Sequence, residues 1–125
     1  MMIHKAYKID REALAWASGF FDGEGCIGCY YRTNGKTQKR YRLLHISVGQ
    51  KDREVLDRFK AIFGFGRIVQ TQKNNGPFYH FAVDSFEKSQ AIVAMLFPFL
   101  GTIKQQQISQ SLAEYHKNLH PSNGG

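Results

Sequence analysis

Between Lys39 and Val48 the chain alternates: Leu44, Ile46 and Val48 share one parity, whereas Tyr41, Leu43, His45 and Ser47 share the other. This is the pattern of a strand with one face for a core and one face for another use. Its partner is the run from Cys26 to Arg32, whose polar row Tyr30, Arg32 and Asn34 matches it, with a turn over Thr33 to Thr37 around Asn34-Gly35. Ahead of this hairpin, Asp10 is a suitable N-cap for a helix from Arg11 to about Phe21 that ends in Gly23 and Gly25. After it the period becomes helical. Val55, Leu56, Phe59, Ile62 and Phe63 share a face between Asp52 and Phe63, and Gly64 stops the helix. A second hairpin follows, Gly66 to Thr71 and Phe78 to Val83, with Lys73-Asn74-Asn75-Gly76-Pro77 in its loop. A third helix spans about Phe86 to Phe97 before Pro98, and a fourth about Thr102 to Asn118. The predicted order is αββαββαα, an α/β (α+β) domain over residues 1–120, with a disordered tail at 121–125.

Small residues form a stripe on the first helix at Ala15, Ser18, Gly19 and Gly23, and two carboxylates, Asp22 and Glu24, stand at its C-terminal end. A glycine inside a helix costs about 1 kcal/mol relative to alanine, so Gly19 needs a compensating reason. Close packing against a second helix supplies one. If that helix comes from a second copy of the chain, both Glu24 carboxylates arrive in one place, where a divalent cation relieves their repulsion.

The run Ala17-Ser18-Gly19-Phe20-Phe21-Asp22-Gly23-Glu24-Gly25 resembles the signature of the LAGLIDADG homing endonucleases, with Ala and Ser where the family usually has Leu and Ala. His45-Ile46-Ser47-Val48-Gly49-Gln50-Lys51, Phe63-Gly64-Phe65-Gly66, and Phe97-Pro98-Phe99-Leu100 with Lys104-Gln105-Gln106-Gln107 also look like the family, in the family's order, so that the resemblance covers about residues 10 to 116. It implies a four-stranded antiparallel saddle-shaped sheet and a nuclease of the single-motif, homodimeric kind. By position it implies Glu24 as metal ligand with a carbonyl from Gly25, Gln50 as the residue that positions water, and Lys104 near the scissile phosphate. Oxygen ligands and a phosphate substrate favour Mg²⁺, with Mn²⁺ as a substitute. Asp22, with Ala15, Ser18, Gly19 and Gly23, falls at the seam between helices. There is one departure: where the family often carries an arginine near the start of the second helix, this chain has Glu54, flanked by Arg53.

Charge agrees with a polyanionic partner. At 125 residues the chain can bury roughly two-thirds of its unfolded surface without disulfides. Its 17 basic and 10 acidic side chains give a formal charge of +7, and no Asp or Glu lies between Gly25 and Lys51 or between Arg58 and Val83. One face of the fold is therefore strongly positive. Tyr30, Arg32, Asn34, Tyr41, His45, Ser47, Arg67, Thr71 and His80 are candidates to meet bases in a DNA major groove. Lys36, Lys39, Arg40 and Arg42, with Lys73 in the second acid-free span, are candidates for phosphates.

Other classes fit less well. The sequence has no apolar run of membrane-spanning length, no basic amphipathic helix, and no apolar segment after Met1-Met2-Ile3-His4-Lys5 of the kind secretion requires, which predicts a soluble intracellular protein with no membrane partner. Cys26 and Cys29 have CxxC spacing, but a structural zinc needs four ligands, and on a strand these two point to opposite faces; they read as reduced, packed cysteines. The expected function is site-specific cleavage of a long palindromic or near-palindromic double-stranded DNA site by divalent-metal-dependent hydrolysis. The alternative is a LAGLIDADG-like repressor or RNA-splicing maturase, which would add intron RNA as a partner and cut nothing.

Overall fold

The structure, a computed structural model, describes residues 10–117. The predicted tail at 121–125 and the helix end at Asn118 lie outside them. The Asp10 carboxylate accepts the backbone N–H of Ala13 at 3.3 Å and starts helix α1, Arg11–Glu24. The helix runs three residues past the expected end at Phe21. Gly23 stays helical, and the N–H of Gly25 closes the last turn onto the Phe21 carbonyl before the chain turns directly into strand β1, Gly25–Thr33. Gly25 is required there by space, since a Cβ would lie 2.1 Å from the Phe21 ring.

Strand β1 pairs antiparallel with β2, Arg40–Gln50, from Gly25 opposite Val48 to Thr33 opposite Arg40. The connection is longer than a two-residue turn. Asn34 Oδ1 accepts from the N–H groups of Lys36 and Thr37 at 2.8 and 3.1 Å, and Gln38 takes φ 61°. Asp52 caps α2, Arg53–Phe63, and Gly64 ends it in the left-handed conformation at φ 82°. Strands β3, Arg67–Lys73, and β4, Gly76–Val83, meet through Asn74-Asn75 alone, a tighter hairpin than predicted. Pro77 is tolerated inside β4 because β2 ends opposite Tyr79, so no ladder bond to β2 is lost. Ser85 caps α3, Phe86–Leu96; a 3₁₀ turn over Phe97–Phe99 carries Pro98, and α4 spans Thr102–His116.

The strands form one sheet in the order β1-β2-β4-β3, with the helices on one side. Leu44, Ile46 and Val48 face that side and are buried with Phe21, Leu56, Phe59, Phe81, Ile92, Leu96 and Ile108. Phe59 is the hub, with the rings of Phe63 and Phe81 both 5.1 Å from its own and those of Phe20 and Phe21 slightly farther. Ser89 is buried too, and its hydroxyl donates to the Leu44 carbonyl at 2.7 Å, tying α3 to β2. No helix among the described residues is long and apolar enough to cross a membrane.

The cysteines divide as strand alternation requires, but only one is packed. Cys29 is half-buried on the helix side, where burial pushes its thiol up, with Glu114 adding to the shift and Arg42 opposing it. Cys26, paired with Ser47 on the other face, is exposed, because none of the described elements covers that face.

Candidate nucleic-acid interface and active centre

The strand registers put Tyr30 and Arg32 of β1, Tyr41, His45 and Ser47 of β2, His80 of β4, and Arg67, Thr71 and Lys73 of β3 on the uncovered face of the sheet. Tyr30 and Tyr41 stand 53% and 44% exposed, too open for core aromatics. Tyr30 meets His45 edge-on at 5.6 Å. Phe78 sits between His80, at 5.1 Å, and the Lys73 ammonium, 4.2 Å above its ring. Sequence reasoning passed over Phe78, and also Val69, which is 42% exposed on the same face; parity with His80 and Arg67 was the signal that pointed to them.

Five other candidates lie off this face. The Asn34 side chain organises its own loop, and Lys36 and Lys39 project from that loop at the end of the first hairpin. Arg40 has the parity of Leu44, and its guanidinium rests 4.4 Å above the Tyr31 ring. Arg42 is committed elsewhere. Its Nε donates to the Tyr31 hydroxyl at 3.2 Å, and its Nη1 donates to the carbonyls of Tyr115, at 3.1 Å, and Lys117. These are the open carbonyls at the C-terminus of α4, where a cation is favoured, so Arg42 is a helix cap rather than an exposed phosphate ligand.

Asp84, just past β4, is a third residue that sequence reasoning missed. It lines a concavity of about 300 Å³ with Tyr30, Arg32, His45, Ser47 and Arg67. One carboxylate oxygen pairs with His45 Nδ1; the other accepts from Arg67 Nη2 at 2.8 Å, with Arg32 Nη2 at 3.8 Å. Burial on its own would raise this carboxyl, but the hydrogen bonds from His45 and Arg67, and their charges, hold it below its ordinary value.

At the end of α1, Ala15, Gly19 and Gly23 form an exposed line, and a Cβ added at either glycine would meet nothing within 4 Å. Ser18 does not belong to that line: it is buried, and its hydroxyl donates to the Leu14 carbonyl at 2.7 Å, because its side of the helix faces the chain's own core. Asp22 is engaged within the chain, its two oxygens accepting from the Gly101 N–H at 3.2 and 3.1 Å. Glu24 is exposed and, among the described residues, has no hydrogen-bonding or ionic partner.

Lys104 Nζ donates to the Gly25 carbonyl at 2.7 Å, next to Glu24. Gln50 is the last residue of β2, two positions beyond Val48, the partner of Gly25. Arg53 is 3.6 Å from Asp57 and 6.0 Å from the Tyr79 ring, while exposed Glu54 occupies the second position of α2. The donors at this end, a carboxylate and a carbonyl, suit a hard cation such as Mg²⁺. Among the described residues no group of three or more His, Cys, Asp or Glu side chains converges.

The family model described as LAGLIDADG endonuclease matches residues 17–117. The homing endonuclease I-CvuI, solved in complex with the I-CreI target in the presence of Mg with the DNA not cleaved, superposes with a TM-score of 0.69 at 24% identity, covering 90% of this chain and 73% of that one. The group I intron-encoded homing endonuclease I-CeuI, complexed with DNA, gives 0.68 at 16% identity, covering 85% of this chain and 55% of that one. The LAGLIDADG meganuclease I-CpaMI, bound to uncleaved DNA, gives 0.66 at 20% identity over 88% of this chain and 39% of that one. At these identities the likeness establishes the fold. A comparison with curated proteins gives no match.

Proposed function

This chain belongs to the LAGLIDADG endonuclease family, and from that premise we propose that it is a site-specific double-strand DNA endonuclease acting as a homodimer. The observation that carries the reading is the bare line Ala15, Gly19, Gly23 running into unpartnered Glu24. Nothing among the described residues packs against Gly19 or Gly23, so their helix-propensity cost calls for a partner beyond these residues. A second copy of α1 meets that need and places two Glu24 carboxylates side by side. Each subunit then lays its open sheet face along half of a palindromic or near-palindromic site, the symmetry of the protein matching that of the DNA.

Glu24 from each subunit and the Gly25 carbonyl hold Mg²⁺, which Mn²⁺ can replace. When bound, the ion activates water and offsets charge on the scissile phosphate and leaving oxygen. Gln50 orients the water from the end of β2. Lys104, anchored on Gly25, brings a positive charge to the phosphate. The exposed basic residues, including Lys36, Lys39 and Arg40, hold the flanking backbone and fix register without reading sequence.

The test uses a target selected by the purified protein from a pool of randomised duplexes and then placed in a plasmid. Wild type is expected to linearise the plasmid in Mg²⁺, and Glu24→Gln to bind the same duplex without cutting it; in Ca²⁺ both bind with little cleavage. Full cleavage by Glu24→Gln would remove Glu24 from the chemistry. A tightly bound target left intact by wild type would assign the chain to the binding-only class.

A further inference from the structure

Asp84 is out of place on a surface that meets DNA. Each of the other nine acidic side chains belongs to a helix or its N-cap, whereas Asp84 opens onto the basic sheet face, where a negative charge repels phosphate. Its surroundings give it a task. The side chain is only 18% exposed, and its two oxygens are divided between different partners, His45 on one and Arg67 on the other, with Arg32 just beyond.

We propose that Asp84 is a specificity-determining positioning residue: it holds Arg67 and His45 as a fixed pair directed at base edges and keeps both from settling on phosphates. The inference rests on the DNA-binding reading above and adds which residues discriminate between bases. An exposed arginine beside a nucleic-acid backbone pairs with the nearest phosphate, a contact without sequence information. Binding one edge of the Arg67 guanidinium to Asp84 fixes its plane and leaves the remaining N–H groups to form the fork that matches O6 and N7 of guanine. For His45, the carboxylate takes the proton on Nδ1 as its hydrogen bond, which leaves Nε2 to face the bases, an acceptor for the amino group of adenine or cytosine whenever the ring is neutral. Tyr30, edge-on to the ring, limits its rotation.

The experiment compares wild type, Asp84→Ala, Asp84→Asn and Arg67→Ala in binding the target selected from randomised duplexes, all of its single-base variants, and an unrelated duplex. Wild type should discriminate strongly at a guanine in each half-site. Asp84→Ala should lose roughly tenfold of that discrimination, as when a bidentate base contact is lost, and should bind the unrelated duplex more tightly because a negative charge has gone from the face. Arg67→Ala should lose preference at the same position, and the variant that combines Asp84→Ala with Arg67→Ala should lose no more than either single one. Asp84→Asn, which keeps the shape and one acceptor oxygen, should recover part of the discrimination and serves as the primary variant if Asp84→Ala fails to fold. A residue that only stabilises the fold would lower affinity for cognate and unrelated DNA alike, and that result, or unchanged discrimination in folded Asp84→Ala and Asp84→Asn, would overturn the proposal. Failure of wild type to bind any duplex would instead strike the DNA-binding reading.

Discussion

The ammonium of Lys104 donates a 2.7 Å hydrogen bond to the carbonyl of Gly25, joining α4 to the first residue of β1, immediately after Glu24. The same ammonium lies 5.6 Å from the centre of the Phe21 ring. A cation is thereby fixed at the negative end of α1, where it offsets both the helix dipole and the adjacent carboxylate. One bond thus sets the spacing between the basic group and the acid proposed for the chemistry.

Replacing Lys104 with Met keeps the apolar stem against Phe21 and removes the charge. Cleavage is expected to fall about a hundredfold, the scale of losing one donor directed at developing charge, while DNA affinity changes little. Single-turnover cleavage and a gel shift on the same duplex measure the two quantities. An unchanged cleavage rate would leave Lys104 with a structural role only.

Gly19→Leu separates the fold from the assembly. Because a Cβ at Gly19 meets nothing within 4 Å among the described residues, the variant should fold as well as wild type and even gain helix propensity. The dimer should weaken by about 1–3 kcal/mol or more through overpacking at the helix seam. Sedimentation equilibrium with circular dichroism distinguishes the two effects. A dimer of unchanged affinity would show that the bare stripe is not the contact.

Two neighbouring arginines should give opposite phenotypes. Arg40, stacked on Tyr31, is available to phosphate, so Arg40→Ala should reduce the slope of log affinity against log salt by about one and alter base preference little. Arg42 spends three of its five N–H donors, those of Nε and Nη1, on Tyr31, Tyr115 and Lys117, so Arg42→Ala should leave that slope unchanged and lower the unfolding midpoint instead. Salt titrations and thermal melts of the two variants give the comparison. A salt slope that responds equally to both would return Arg42 to the phosphate contacts.

What was legible in the sequence was whatever period and local capping determine. Leu44, Ile46 and Val48 gave the buried face of β2, Gly64 the end of α2, and Asp10 the start of α1. Their outcome depends on residues within a few positions. Arg42 and Asp84 were not legible, because their partners lie 73 and 39 residues away and parity does not say which of several basic or polar groups a side chain will find. Ser18 misled for a related reason: small residues on adjacent helix positions looked like one stripe, although Ala15, Gly19 and Gly23 face outward and Ser18 faces the core. The hairpin at Asn74-Asn75 came out tighter than expected because Gly76, at φ 114°, lets β4 begin before Pro77.

Asp84 also makes a prediction about pH. Its carboxyl is held below its ordinary value of 3.8 by His45 and Arg67, despite partial burial, so the folded protein binds that proton more weakly than the unfolded chain does. A depressed folded-state value means a stabilising contribution that is fully present above the unfolded pKa and is lost as pH falls through the folded one. The relevant window therefore lies at and below about pH 4, and near neutral pH the contribution is constant. Denaturant unfolding of wild type and Asp84→Asn across this range provides the measurement. The stability gap between them should narrow as the pH falls below about 4 and wild type takes up the proton. A gap that stays constant to the lowest pH at which both fold would mean that Asp84 ionises as freely as in the unfolded chain, and that its pairing with Arg67 and His45 is not maintained in solution.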